Sequence, residues 1–187
     1  AIYVGVDDGE GITSIIVNVK IPGKKKLTDA TVSFVDPNRV VGIGEDVLAQ
    51  GSAPILYLGN LQQPDDVQFA SPFLTPAGGG SVAAVASTPP GFAGPGDLVT
   101  VGRIGLPSGD APAVWVLDSL QLPQAPPVPP QVLPTPPGLT DVAAQAVRFF
   151  EPTDGLPPRL LAAGVGRGPG GEWVELTWEQ VPGQGWN

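Results

Sequence analysis

Residues 27–43 read LTDATVSFVDPNRVVGI, and this stretch decides the fold. Its first half alternates. Ala30, Val32 and Phe34 point one way and Thr31, Ser33 and Val35 the other, the period-two pattern of a half-buried strand. Asp36-Pro37-Asn38 then interrupts the run. Proline fixes φ and has no amide hydrogen to give to a ladder, so the chain leaves the sheet at that step and Val40-Val41 resume it in a new direction. Such a device between two apolar strand runs points to a β-sandwich that presents a surface, rather than to an enzyme built around a pocket.

The same pattern recurs to either side. Residues 2–6, 12–21, 28–35, 40–43, 55–61, 67–69, 81–86, 97–106 and 113–122 read as short strands. Turn signals separate them: Asp7-Asp8-Gly9-Glu10-Gly11, residues 22–26, and Gly78-Gly79-Gly80. In 97–106, Leu98, Thr100, Gly102 and Ile104 face one way and Val99, Val101 and Arg103 the other. Short strands at this spacing predict an all-β sandwich or barrel. No window holds a strong helical period over three turns.

Composition agrees. The chain carries 26 glycines and 24 prolines among 187 residues, yet it is 42% hydrophobic and only 14% charged. Disordered chains are poor in apolar residues and rich in charge, so the reading that fits is a turn-rich all-β domain plus a proline-rich connector. The length allows one good core, or one domain with a smaller appendage. Residues 123–138, PQAPPVPPQVLPTPPG, favour polyproline II and read as a semi-rigid linker or as an arm lying on a partner. In residues 139–187, Thr140 or Asp141 could cap a short helix through Phe150, or the same residues could form a strand. Residues 159–165 and 172–181 then form a hairpin, with Val174, Leu176 and Trp178 on one face and Trp173, Glu175, Thr177 and Glu179 on the other. A piece this small buries little surface alone and is expected to pack on the main domain or on another subunit.

The order of features over residues 1–122 resembles the cohesin family of β-sandwich modules, whose nine-stranded jelly-roll-like fold is shared with some carbohydrate-binding modules. The resemblance rests on the opening strands 2–6 and 12–21, on the strand, Asp-Pro-x step and valine-rich return of 27–43, and on residues 91–106 (GFAGPGDLVTVGRIGL). It implies an eight- to nine-stranded jelly-roll-like sandwich over 1–122, followed by the proline-rich arm 123–138 and the hairpin-containing extension 139–187. It also implies binding of another protein through a sheet face.

Charge removes several classes of function. The net charge is -9, and the only basic cluster, Lys24-Lys25-Lys26, reads as a solvated hairpin tip. A nucleic-acid binder needs a basic footprint to displace counterions, so nucleic acid is not an expected partner, nor is an anionic membrane surface. No run approaches the ~18 apolar residues of a membrane-spanning helix. A chain that begins at Ala1 reads as a processed end, with removal of an export signal preferred, so the expected location is extracytoplasmic: secreted, cell-surface or periplasmic.

The chain has neither cysteine nor histidine. That excludes disulfides, thiol nucleophiles, zinc–thiolate sites and the Ser-His-Asp and Cys-His arrangements. The doublets Glu45/Asp46 and Asp65/Asp66 read as turn residues, and sequence neighbours would point to opposite faces of a strand, unlike the paired acids of a glycosidase cleft. Asp7, Asp8 and Glu10 crowd three carboxylates at a glycine turn, and calcium is the one cofactor such a loop suggests, against a plain hairpin turn. Trp115, between Val114 and Val116, reads as core. Trp173, Trp178 and Trp186 lie in the polar C-terminal part and are the candidate partner contacts. The expectation is a non-enzymatic interaction or structural module whose partners are other protein subunits, self or hetero. The alternative is a carbohydrate-binding module, which would need a row of coplanar exposed aromatics on one sheet face.

Overall fold

A computed structural model describes residues 2–7, 12–17, 25–48, 51–151, 155–180, 182–183 and 185–187. Every regular element among them is a strand, and no helix occurs among the described residues. β1 (Ile2–Asp7) and β2 (Ile12–Val17) pair as a hairpin. β3 (Lys25–Val32), β4 (Arg39–Leu48), β5 (Gly51–Asn60) and β6 (Gln63–Ala70) form the first large sheet in sequence order. β7 (Gly80–Ser87), β8 (Leu98–Leu106), β9 (Gly109–Leu117) and the two-residue β10 (Gln131–Val132) form the middle sheet. β11 (Thr140–Phe150), β12 (Arg159–Arg167) and β13 (Trp173–Gln180) form the third. All ladders are antiparallel, and each joins strands that are neighbours in the chain.

The Asp-Pro-Asn step does what its chemistry dictates. β3 ends at Val32; the Ser33 amide donates to the Arg39 carbonyl at 2.9 Å, and the Arg39 amide donates to the Asp36 carbonyl at 2.9 Å. The Asn38 amide donates to the Asp36 carboxylate at 3.1 Å, an Asx turn with Pro37 at its corner. β4 therefore returns beside β3 within one sheet.

The three large sheets stack face to face, and the middle one is covered on both sides. Leu98, Ile104, Trp115, Leu117 and Val85 pack against Val41, Ile43, Leu56 and Leu58 of the first sheet. Val99, Val101, Val114, Ala84 and Ala86 pack against Val142, Val147, Leu160 and Trp178 of the third. The alternation expected along 97–106 is observed, with Leu98 and Ile104 in one core and Val99 and Val101 in the other. An antiparallel sheet commonly keeps one face wet; this one keeps neither.

Each of the three large sheets repeats three devices. The first strand carries a register shift: Leu27/Asp29, Val82/Ala84, and Ala144/Ala146. Opposite it stands a second-strand glycine, Gly44, Gly102 or Gly164, where a Cβ would lie 1.8, 1.9 or 2.1 Å from the carbonyl oxygen of Lys26, Ser81 or Ala143. Only glycine permits that approach. The third strand carries a buried aromatic, Tyr57, Trp115 or Trp178. The Trp115 indole donates to the Leu74 carbonyl at 3.3 Å and the Trp178 indole to the Pro134 carbonyl at 2.6 Å, each in the connection that enters its own sheet. Tyr57 Oη donates to the Lys26 carbonyl at 3.0 Å.

Several expectations change. A jelly roll pairs strands distant in sequence, whereas the described ladders are serial meanders. Of the two readings left open for residues 140–150, the structure takes the strand. Lys25 and Lys26 belong to β3 instead of a turn, and Glu45 and Asp46 lie opposite them on β4, where Lys25 and Asp46 form an ion pair at 3.1 Å. The proline-rich residues are fastened along the stack. Leu122, just before them, enters the first core with Ala125 and Val128 packed against it, Val128 bridges Phe73, Gln131 and Val132 pair with β9, and Leu133 enters the second core.

Candidate functional site

Of the candidate calcium ligands, Asp8 and Glu10 lie outside the described residues; Asp7 ends β1, paired in register with Ile12. Among the described residues, no group of three or more acids stands close enough to hold a metal ion.

The three C-terminal tryptophans separate. Trp178 and Trp186 are 2% and 7% exposed and belong to the core between the middle and third sheets, so neither offers a surface; the expectation of a contact there is corrected by burial. Trp186 and Asn187 pair backwards onto β13 through Gln180 and Glu179, along the edge that β6 and β10 occupy in the other sheets. Trp173, in contrast, is 64% exposed.

Alternation places Trp173 on the outer face of the third sheet, whose inner face is the one buried on the middle sheet. Register sets Trp173 beside Arg167, Glu175 beside Val165, Thr177 beside Ala163, and Glu179 beside Leu161. On β11, Ala143, Ala146 and Arg148 continue the last three of these rows. The middle of the face is thus apolar, while charge gathers at its rim. Arg167 lies over the Trp173 ring at 5.6 Å from its centre, and Arg159 pairs with Glu179 at 3.4 Å.

A cleft of about 300 Å³ wraps the edge of β11 next to Trp173. Ser81, Arg103, Asp141 and Gln145 supply its polar groups, and Asp141 adopts a left-handed φ of 51°, a conformation that aspartate tolerates. A smaller cleft of about 120 Å³ opens beside the Asp36 turn, between Arg39, Asn60, Asp66 and Gln68.

Next to that turn lies a buried polar clasp that the sequence reading missed. The carboxylate of Asp97, 3% exposed, accepts from the Ser119 amide at 2.8 Å, the Ser119 hydroxyl at 2.8 Å and the Ser33 hydroxyl at 3.2 Å. Arg39 donates to the Ser119 carbonyl. Its hydrogen bonds tie the end of β3 to the start of β8 and the end of β9. Ser119 and Ser33 are enclosed, so the cluster reads as a fastening between sheets, and nothing in the local sequence distinguishes Asp97 from an ordinary turn aspartate.

No protein-family model, curated protein or solved structure matches this chain.

Proposed function

We propose that the chain is a non-enzymatic protein–protein interaction or structural module, an extracytoplasmic subunit of a larger cell-envelope or extracellular assembly, and that the outer face of its third sheet is the contact surface. The observation that supports this is the layout of that face. Ala163, Val165 and Leu161 form an apolar middle, Trp173 stands exposed at one corner, and arginines and glutamates occupy the rim. Interfaces are built in this way, with an apolar centre, aromatic and arginine anchors, and a polar border.

A photo-crosslinking residue placed at position 163 in the producing cell tests the reading. Protein adducts are expected from position 163 and not from position 120, where Leu120 is also exposed. Equal labelling at both positions, or none at either, would sink the proposal. Cell fractionation with an antibody to the chain checks the extracytoplasmic location.

A second reading, a carbohydrate-binding module, draws on the cleft beside Trp173, where a stacking ring adjoins Arg103, Asp141 and Gln145. Titration with a panel of polysaccharides should then shift the emission of Trp173, and no shift across the panel would remove that reading.

A further inference from the structure

Two edge strands bound the cleft beside Trp173: β7 ends the middle sheet and β11 ends the third. Ser81 of β7 and Arg103 of β8 are cross-strand partners. Alternation puts Arg103 on the side of Val99 and Val101, the side that meets the third sheet. From there the cleft turns round the β11 edge to the bare outer face, where Val165 and Trp173 close it. Three backbone irregularities converge on it. Ala83 is the extra residue of the β7 bulge, and Gln145 is that of the corresponding bulge in β11. The third lies between Thr140 and Ala143, where Asp141 holds its left-handed φ of 51°. The bulge recurs in all three large sheets, whereas the Asp141 irregularity belongs to β11 alone among their first strands. Bulges re-aim side chains, and non-glycine residues held at positive φ gather at binding sites.

The lining selects a class of ligand. The side chains of Ser81, Asp141 and Gln145 make no hydrogen bond or ion pair among the described residues. A hydroxyl, a carboxylate and an amide therefore stand open, and together they donate and accept, as a ligand rich in hydroxyl groups requires. Charge argues against an ion. Arg103 is already paired with Asp110 at 2.5 Å, and Asp141 would repel an anion. A cation would meet Arg103 and Arg167, and no acid cluster among the described residues can hold a metal. The exposed Trp173 indole offers an apolar surface to one ring. The other exposed rings among the described residues, Phe34 and Phe150, lie by the far end of β11, so no aromatic row continues from Trp173. The volume, about 300 Å³, stands at the bottom of the range of small-molecule sites, roughly 300–1,000 Å³.

We propose that this cleft binds one uncharged sugar residue at the end of a glycan, its ring on Trp173 and its hydroxyls on Ser81, Asp141 and Gln145. This rests on the carbohydrate reading above and deepens it, since one ring beside a small cleft takes a chain end and not the flat face of a polymer.

Calorimetric titration of the 187-residue chain tests this. The probes are glucose, galactose, mannose and N-acetylglucosamine with their disaccharides, the matching uronic acids and amino sugars, and insoluble cellulose and chitin. At least one neutral sugar should bind saturably and shift the tryptophan emission, and its charged counterparts should bind about tenfold more weakly or less. Trp173→Ala should abolish the binding, and Asp141→Ala and Gln145→Ala should each weaken it about tenfold. Leu120→Ala, outside the cleft, should leave it unchanged, and every variant should retain the near-ultraviolet circular dichroism of the buried tryptophans. Binding that survives Trp173→Ala, or that neither Asp141→Ala nor Gln145→Ala weakens, overturns the assignment, and so does a charged sugar bound as tightly as the neutral one. Retention on cellulose or chitin with no soluble sugar bound overturns the chain-end site and keeps the carbohydrate reading. No binding to any of these probes overturns both, while crosslinking from position 163 reports separately on the protein-contact reading.

Discussion

The middle sheet meets its two neighbours with two different faces. Toward the first sheet it turns large side chains, Trp115, Leu98, Ile104 and Leu117, and the clasp around Asp97 locks that contact at one end. Toward the third sheet it turns Ala84, Ala86, Val99, Val101 and Val114, and the bulk comes from the other side, from Leu160, Val142 and Trp178. The stack therefore has a direction. Trp115 leans from the middle sheet onto the first, and Trp178 leans from the third onto the middle.

The strongest way to break this comparison is to remove the two tryptophans one at a time. Each substitution by alanine should cost about 3–5 kcal/mol, since each deletes a fully buried ring and its indole hydrogen bond. The distribution of the loss is the sharper readout. In hydrogen exchange, Trp178→Ala should lower protection in β11–β13 before β3–β6, and Trp115→Ala the reverse. Equal loss across the whole chain from both variants would show that the two contacts behave as one.

The clasp comes next. Asp97→Ala leaves the buried Ser119 amide without its acceptor and the Ser33 and Ser119 hydroxyls, 3.2 Å apart, with only each other to donate to, and should cost about 2–3 kcal/mol in urea denaturation. Glu175→Ala, at an exposed edge, should stay within about 0.5 kcal/mol. If the two substitutions cost the same, Asp97 does not fasten the sheets.

Much of this was legible in the sequence, for a physical reason: side-chain alternation and turn chemistry are local. The strand at 97–106, both of its faces, the Asp36-Pro37-Asn38 reversal and the two faces of β13 follow from residues adjacent in the chain. What covers each face is set by residues far away, so burial was misread where it depended on a distant sheet. Trp178 and Trp186 looked like surface anchors because the alternating polar residues around them are exposed, while the middle sheet that hides them is built from residues 80–117. Lys25, Lys26, Glu45 and Asp46 looked like turn residues because charge favours turns, and cross-strand pairing of Lys25 with Asp46 lets them extend two strands instead. The proline run looked like a spacer because it lacks amide donors. It keeps its carbonyls, however, and Pro134 uses one to hold Trp178.

The small-residue face itself can be challenged at matched positions. Ala86→Leu adds bulk where the third sheet already sits and should destabilise by about 1–3 kcal/mol. Ala163→Leu adds the same bulk on the bare face and should leave the stability of the single chain within about 0.5 kcal/mol. A comparable loss at both sites would mean that the outer face is more constrained than its exposure shows.

The smallest effect concerns the first sheet, where the repeated aromatic is a tyrosine. Burial, and secondarily the nearby Asp46 carboxylate, raise the Tyr57 hydroxyl above its ordinary value of 10.0. The unfolded chain loses that proton first as pH rises, so the stability linked to the neutral hydroxyl is fully present below pH 10.0 and falls as pH climbs through the higher folded-state value. Tyr57→Phe removes both this linkage and the hydrogen bond to the Lys26 carbonyl, and should cost about 1 kcal/mol at neutral pH. The difference between parent and variant should therefore narrow above pH 10. Urea midpoints measured from pH 7 to pH 11 decide it. Two parallel curves would mean that Tyr57 ionises as freely in the folded chain as in the unfolded one, which would place this ring, unlike Trp115 and Trp178, outside a sealed contact between sheets.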